Sequence, residues 1–374
     1  MAPIRIAFIG LSATGRWAAR AHLPYLQKSS EYQIVGICNS SKQTGEAAIK
    51  EYGLPSSVKA YGSVQELADD ANSFDLAVCS VRVDKHYDAI QPLIAKGKQC
   101  YVEWPLGKNL QEAEDLQSLA LRSGNPRTLI GLQARRSPVV NRIKQLIADN
   151  AIGKVLSVTI RGAAGMSGAV EDEEMGRLLN DKKIGASVFS IHFGHMIDFV
   201  LYALGQDVKS LNATVSTQRP VSKLKLANGS FEEMKRETPD HVSLQGHLTS
   251  GALIDASLRG GPAFKDSPGF VWNIYGETGE IEVTAPGVVL NVGFGPAVSV
   301  KLHDHQKDTV EVVDWKVEDE EERLPIPAQN VGRLYRAFKE GRREEYADWE
   351  EAVGRHSLLA RMVESSERGV AVTL

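Results

Sequence analysis

IRIAFIGLSATG, residues 4–15, joins an apolar run to a glycine-spaced turn, and the fold follows from it. Its first six residues are almost continuously apolar, as in a parallel strand covered on both faces. The strand runs directly into Gly10-Leu11-Ser12-Ala13-Thr14-Gly15, and residues 16–28 then read as a helix. Gly10 permits a tight turn out of the strand, and Gly15 is expected to let the helix approach the sheet. The helix N-terminus offers free N–H groups and a positive dipole end, which suit a pyrophosphate. The spacing is that of the dinucleotide fingerprint G-x-G-x-x-G, with Ser12 in place of the second glycine. Ser12 is small, and its hydroxyl is free to meet a phosphate. The competing reading is a strand–helix turn with no ligand; the position at the head of a βαβ unit weighs against it.

Working outward, further apolar runs follow at YQIVGIC, FDLAVCSV, QCYVEW and TLIGLQ, with helical stretches at residues 42–52, 86–96 and 110–121 between them. This alternation with short connections predicts an α/β Rossmann domain over residues 1–135, built on a doubly wound parallel sheet. After Ile152-Gly153 the texture changes. KVLSVTIRGAAG, VKSLNATVSTQ, HVSLQGHLTSGALIDASLRGG, FVWNIYGETGEIEVTA, GVVLNVGF and AVSVKLHDH all read as extended, with a single clear helix at residues 186–204. Residues 136–374 are therefore expected to form an α+β domain with an open, mostly antiparallel sheet that carries substrate and oligomer contacts. The acidic run VEDEEER, residues 317–323, reads as a solvated loop. Helices at residues 330–340 and 349–368 close the chain and are free to pack back on the first domain.

Composition narrows the class. The formal net charge is −4, and basic residues occur in pairs such as Arg135-Arg136, so no nucleic-acid or membrane footprint is expected. The N-terminus lacks the pattern of a secretory signal. Cys38, Cys79 and Cys100 fall in predicted strands, which points to reduced core thiols and a cytoplasmic location.

The second strand ends in Cys38-Asn39-Ser40-Ser41-Lys42, where an NAD site usually carries Asp or Glu for the ribose 2′-hydroxyl. Hydroxyls, an amide and a cation suit a 2′-phosphate better, so NADP is preferred over NAD. The same residues also read as a helix N-cap and first turn, and both readings can hold. The cofactor is expected to touch Gly10, Leu11, Ser12, Thr14, Gly15, Asn39, Ser40, Ser41, Lys42, Val81, His86, Glu103, Trp104 and Pro105.

YVEWPLGKN (101–109), GLQARRSP (131–138) and FGHMID (193–198), taken with the glycine loop, resemble the family of glucose–fructose oxidoreductase and inositol dehydrogenase. Within it they look most like a fungal branch that includes the repressor of the yeast galactose regulon. The resemblance implies a fungal source, a nicotinamide cofactor, a substrate site on the second domain and homodimers through its sheet. It also exposes two departures. The family's Glu-Lys-Pro lysine, which shuttles the substrate proton, is Trp104 here, and indole has no useful proton to give. The family's aspartate four residues before its histidine is Ile191. His195 remains as the proton carrier, since imidazole titrates near neutral pH.

Trp104, Arg135, Lys183 and His192 are expected to line the substrate pocket. His192, His195 and Asp198 do not converge on one helix face, so no metal site is expected. Asp198 is read as a structural partner for His195, and no G-x-S-x-G nucleophile elbow is present. Two functions follow. One is NAD(P)-dependent hydride transfer to or from a hydroxyl or carbonyl of a small polar metabolite. The other is a non-catalytic NAD(P)-sensing transcriptional regulator that binds an activator peptide. Loss of the lysine and aspartate favours the regulator; the compact length and the lack of a basic import cluster favour the enzyme. A redox-neutral epimerase or lyase is a third, weaker reading.

Overall fold

A computed structural model describes residues 2–124, 126–293 and 295–374. The N-terminal apolar runs become strands β1 (Ile4–Ile9), β2 (Tyr32–Cys38), β3 (Lys59–Tyr61), β4 (Leu76–Cys79), β5 (Gln99–Val102) and β6 (Thr128–Ile130). All pair in parallel, in the order β3-β2-β1-β4-β5-β6. The winding reverses between β1 and β4, which leaves a crevice outside their carboxyl ends. Helices α1 (Trp17–Ala21), α2 (Leu23–Leu26), α3 (Lys42–Glu51), α4 (Val64–Asp69), α5 (His86–Ile94) and α6 (Leu110–Arg122) form the connections. The single helix expected over residues 16–28 is broken at His22. Pro24 has no N–H to continue the ladder, which accounts for the break. β3 is a three-residue strand at the sheet edge, too short to register as an apolar run.

Helix α7 (Pro138–Ala148) follows, burying Val139, Val140, Ile143 and Leu146 on one face. It went unread because it opens at the expected domain boundary. Beyond it come β7 (Val155–Ala163), β8 (Val170–Asp172), α8 (Glu173–Asn180), a π-helical turn (Val188–Phe193) and α9 (Gly194–Leu204). Strands β9 (Val208–Ser216), β10 (Val221–Lys225), β11 (Phe231–Lys235), β12 (His241–Leu248), β13 (Leu253–Arg259), β14 (Phe270–Gly276), β15 (Gly279–Ala285), β16 (Ser299–Asp304) and β17 (Thr309–Val312) complete this part. Strands β7, β9 and β12–β17 join one sheet that is antiparallel except where β7 runs parallel to β13. Period-two alternation buries one face of it. There Trp272 and Phe270 meet Phe199 of α9, with ring centroids 6.0 and 5.9 Å apart.

One expectation fails in this region, and two elements there were unforeseen. GVVLNVGF is turn and loop from Gly287 to Gly293, although apolar, and Phe294 lies outside the described residues. The helix at residues 186–204 is a π turn joined to an α-helix, and α8 is a further helix that was not expected. A second, three-stranded sheet, β11-β10-β8, was also missed. Its outward residues mix charge with exposed Val170, Val221 and Phe231, and a buried polar net holds it: Arg236 donates to Asn180 at 2.9 Å and pairs with Asp240 at 3.0 Å and with Glu171.

The chain ends in α10 (Ile326–Glu340), α11 (Trp349–Arg368) and β18 (Val372–Thr373), which pairs with β9. Two compact units result: residues 1–136 with 318–356, and residues 137–317 with 357–374. In the first, Gly332 of α10 lets the helix press on α2, for a Cβ there would lie 2.8 Å from the Tyr25 ring. The acidic run is exposed at five of its seven residues, but it is not a free loop: it ends in a 3-10 turn (Glu320–Arg323) tied to α10. Arg333 pairs with Asp319 at 2.8 Å and with Glu322 at 2.5 Å, and Arg336 pairs with Glu321 at 3.0 Å, clamping the run onto α10. No helix among the described residues is long and apolar enough to cross a membrane.

Candidate functional site

The carboxyl end of β1 is built around Gly10. Its φ is +94°, and its N–H donates to the Cys38 carbonyl at 3.0 Å. A Cβ there would lie 2.7 Å from Val81 Cγ1 and 2.9 Å from the Ser80 carbonyl oxygen. Glycine is thus required twice, for conformation and for space. Gly15, at φ +74°, has nothing within 4 Å of its would-be Cβ. Its role is the left-handed turn, and the expected close approach of helix to sheet is corrected on that ground. Ser12 Oγ lies 2.8 Å from Thr14 Oγ1 and accepts from the Thr14 N–H at 3.2 Å. Leu11 turns its side chain fully into the core and offers a ligand only its backbone. Its carbonyl accepts from Asn39 Nδ2 at 2.9 Å, so Asn39 ties the end of β2 to the loop.

Ser41 caps α3, accepting from the Thr44 N–H at 3.2 Å. Ser40 and Lys42 are exposed beside it. No acid lies in this stretch, but the fold brings one near. Glu66 of α4 accepts from the Gly62 N–H at 2.9 Å, and its charge joins burial in raising the Cys38 thiol to about 11. A loop whose glycine leaves room only for backbone, followed by helix-end amides, fits a dinucleotide pyrophosphate.

Glu103, Trp104 and Pro105 follow β5, and the Trp104–Pro105 peptide is cis. Glu103 Oε1 lies 3.0 Å from Nε2 of the fully buried His22, whose Nδ1 lies 2.9 Å from the Tyr335 hydroxyl. His86, expected at the cofactor, is buried with its ring nitrogens 2.8 and 3.0 Å from the Pro105 and Val81 carbonyls. Its role here is to hold those two loops in place. Trp104 is 5% exposed, and its ring centroid lies 4.8 Å from that of His356. Arg135 is 2% exposed and pairs with Glu351 of α11, so its charge is compensated within its own unit. That corrects its assignment to the substrate pocket.

In the second unit the π turn carries Ile191 and His192, and α9 begins at Gly194, placing His195 and Asp198 in its buried first turns. Such π turns occur disproportionately at functional sites. Among the described residues His192 Nδ1 has no hydrogen-bond partner. Lys183 is exposed just upstream. Among the described residues no group of three His, Cys, Asp or Glu side chains is placed to hold a metal. Tyr52, His22, Tyr335 and His356 were missed from the sequence, since only contacts made across the fold mark them out.

Burial pushes His192 down to about 4, with the nearby His195 adding to it, and burial beside His86 does the same to His356. Both rings regain the ordinary value of 6.5 on unfolding, so the unfolded chain takes up protons first as pH falls. Stability is then whole above about pH 6.5 and declines toward pH 4, by about 3 kcal/mol for each ring. The thermal midpoint should fall across that window, and His356→Gln should flatten the fall. A parent midpoint unchanged down to pH 4 would contradict the burial of neutral imidazoles.

Residues 4–129 match the family model "Oxidoreductase family, NAD-binding Rossmann fold", and residues 138–285 match "Gal80p, C-terminal domain". The galactose/lactose metabolism regulatory protein GAL80 of Kluyveromyces lactis is 32% identical over 292 residues, which cover 75% of this chain. The match spans 64% of that protein, less than two thirds of its length. Dehydrogenase aclE of Aspergillus oryzae is 27% identical over 375 residues, covering 98% of this chain and 97% of the dehydrogenase. A crystal structure of a super-repressor mutant of Gal80p from Saccharomyces cerevisiae, 25% identical, superimposes with a TM-score of 0.90 over 100% of this chain and 98% of that one.

Proposed function

The chain belongs to the oxidoreductase family of glucose–fructose oxidoreductase and inositol dehydrogenase, with a Gal80p-type C-terminal domain, and from that premise we propose that it is an NAD(P)-dependent oxidoreductase. Its substrate would be a hydroxyl or carbonyl of a small polar metabolite such as a sugar or polyol. The observation that carries the reading is the Gly10 turn, which leaves space for backbone alone at the point where the sheet order reverses. Bound nicotinamide would supply the hydride donor or acceptor. Glu103, fixed by His22, holds the loop that presents Trp104. Trp104 shapes the ring end of the site, and His195 carries the substrate proton. The end-to-end alignment with a dehydrogenase supports chemistry over sensing. Turnover of NADP+ or NADPH against a panel of sugars, polyols and keto compounds, followed by nicotinamide absorbance, tests the reading.

Two observations favour the regulator. Trp104 and Ile191 stand where the family's lysine and aspartate would act, and the C-terminal domain is of the Gal80p type. In that reading the protein senses NAD(P), binds an activator peptide and turns over nothing. In either reading it works in the cytoplasm as a homodimer. The face of the large sheet bearing Ser157, Gln245 and Asp255 would receive the second copy.

The preferred cofactor is NADP. Ser41→Asp keeps an N-cap on α3 but sets a carboxylate where the 2′-phosphate would lie. NADP+ affinity should fall about tenfold or more while NAD+ affinity is retained. Calorimetric titration showing tighter NAD+ binding by the parent would overturn this preference.

A further inference from the structure

Tyr52 stands outside the glycine loop in sequence and inside it in space. It follows the last residue of α3, and its hydroxyl donates to the Ser12 carbonyl. The same oxygen accepts from the Gly15 N–H at 3.2 Å. One hydroxyl therefore spans the loop from its middle to its end. Its own backbone is fastened too, for Gln27 Nε2, just past α2, donates to the Tyr52 carbonyl at 2.9 Å. Within the loop, Ser12 Oγ takes the Thr14 N–H.

These bonds matter because of what stands at residue 12. A glycine there would leave a loop free to mould itself to the pyrophosphate; Ser12 limits that freedom. A carbonyl aimed at the phosphates would repel them, and the Ser12 carbonyl is the group the tyrosine holds. The φ of +74° at Gly15 is closed by the other half of the bridge. With its O–H proton committed to Ser12, Tyr52 turns lone pairs toward Gly15 and has no proton left for a phosphate oxygen. Its effect on an anionic ligand must act through the loop.

We propose that Tyr52 is a positioning residue for the pyrophosphate: its hydroxyl pre-sets the Gly10–Gly15 loop in the shape that receives the two phosphates, in place of the freedom lost with the second glycine. This rests on the dinucleotide reading of the loop and adds to it a residue that no spacing rule marks.

The test is Tyr52→Phe, which keeps the ring and removes only the bridging oxygen. Affinities for NADP+, ADP-ribose and adenosine 2′-monophosphate are measured by calorimetry on parent and variant, with thermal midpoints alongside. NADP+ and ADP-ribose contain a pyrophosphate; adenosine 2′-monophosphate does not. The variant should bind the two pyrophosphate ligands about five- to tenfold more weakly, the scale of one or two neutral hydrogen bonds. Its affinity for adenosine 2′-monophosphate should hold within about twofold. Equal weakening for all three ligands would assign Tyr52 a general structural role and overturn the proposal. So would unchanged or tighter binding of ADP-ribose, the latter showing that the hydroxyl competes with phosphate for Gly15. If the parent binds neither NADP+ nor ADP-ribose, the dinucleotide reading itself fails, and that outcome is distinct from a variant that simply matches a binding-competent parent.

Discussion

His195→Asn is expected to lower kcat by about 10²–10⁴, a barrier rise of roughly 3–5 kcal/mol, while NADP(H) affinity stays within about twofold of the parent. In the proposed chemistry Trp104 cannot titrate, and His195 is the family group left to move the substrate proton. It sits in the first turn of α9, directly after the π turn, and is 7% exposed. Asparagine keeps much of the size and some hydrogen bonding but cannot accept and return a proton. In the proposed reading the phosphates and ribose would be held by the glycine loop and the end of β2, which do not include His195, so binding and chemistry should separate cleanly. The parent's rate should decline at low pH, and that limb should vanish in the variant. A variant within about threefold of the parent would remove His195 from the proton path.

Gly10→Ala is expected to weaken NADP+ binding by about 100-fold and to lower the thermal midpoint as well. An L-residue at φ +94° pays roughly 1–2 kcal/mol in backbone strain. The added carbon also meets Val81 Cγ1 at 2.7 Å and the Ser80 carbonyl oxygen at 2.9 Å. The first can rotate away; the second is backbone at the end of β4, so the strand end or the loop must move. Gly10→Val should be worse on both counts and not, as the turn geometry alone implies, simply binding-deficient. Calorimetric titration with a melting curve on the same sample checks this. Parent-like affinity in a stable Gly10→Ala variant would mean that the loop is not the pyrophosphate site.

The two-domain architecture is legible in the sequence because each deciding feature is local. Ile4–Ile9 is a contiguous apolar run, the glycines sit at a fixed spacing, and β12–β13 and β14–β15 alternate with period two around turns such as Thr249-Ser250-Gly251. What escaped is non-local or contradicts its own composition. Strand β11 is FEEMK, three of its five residues charged and only Met234 half-buried, so no apolar alternation announces it. Gly287–Gly293 is apolar yet forms turns. The acidic run is held by Arg333 and Arg336, which lie in a helix read as separate.

The site follows the same rule. Gly10 and the Ser41 cap could be read in place, whereas Tyr52 meets Ser12 across 40 residues, His22 meets Tyr335 across 313, and Arg135 meets Glu351 across 216. No spacing rule reaches such pairs. The π turn that carries His192 is also invisible to a helix reading based on a uniform turn angle.

Transfer of deuterium separates hydride chemistry from sensing. NADPH labelled at nicotinamide C4 is mixed with the protein and a panel of keto sugars and keto polyols, and the products are examined by mass spectrometry. Hydride transfer predicts a product that carries the label on the former carbonyl carbon, formed by the parent and nearly absent with His195→Asn. Tight binding of NADPH with no labelled product from any member of a broad panel would contradict it and leave the sensing reading in its place.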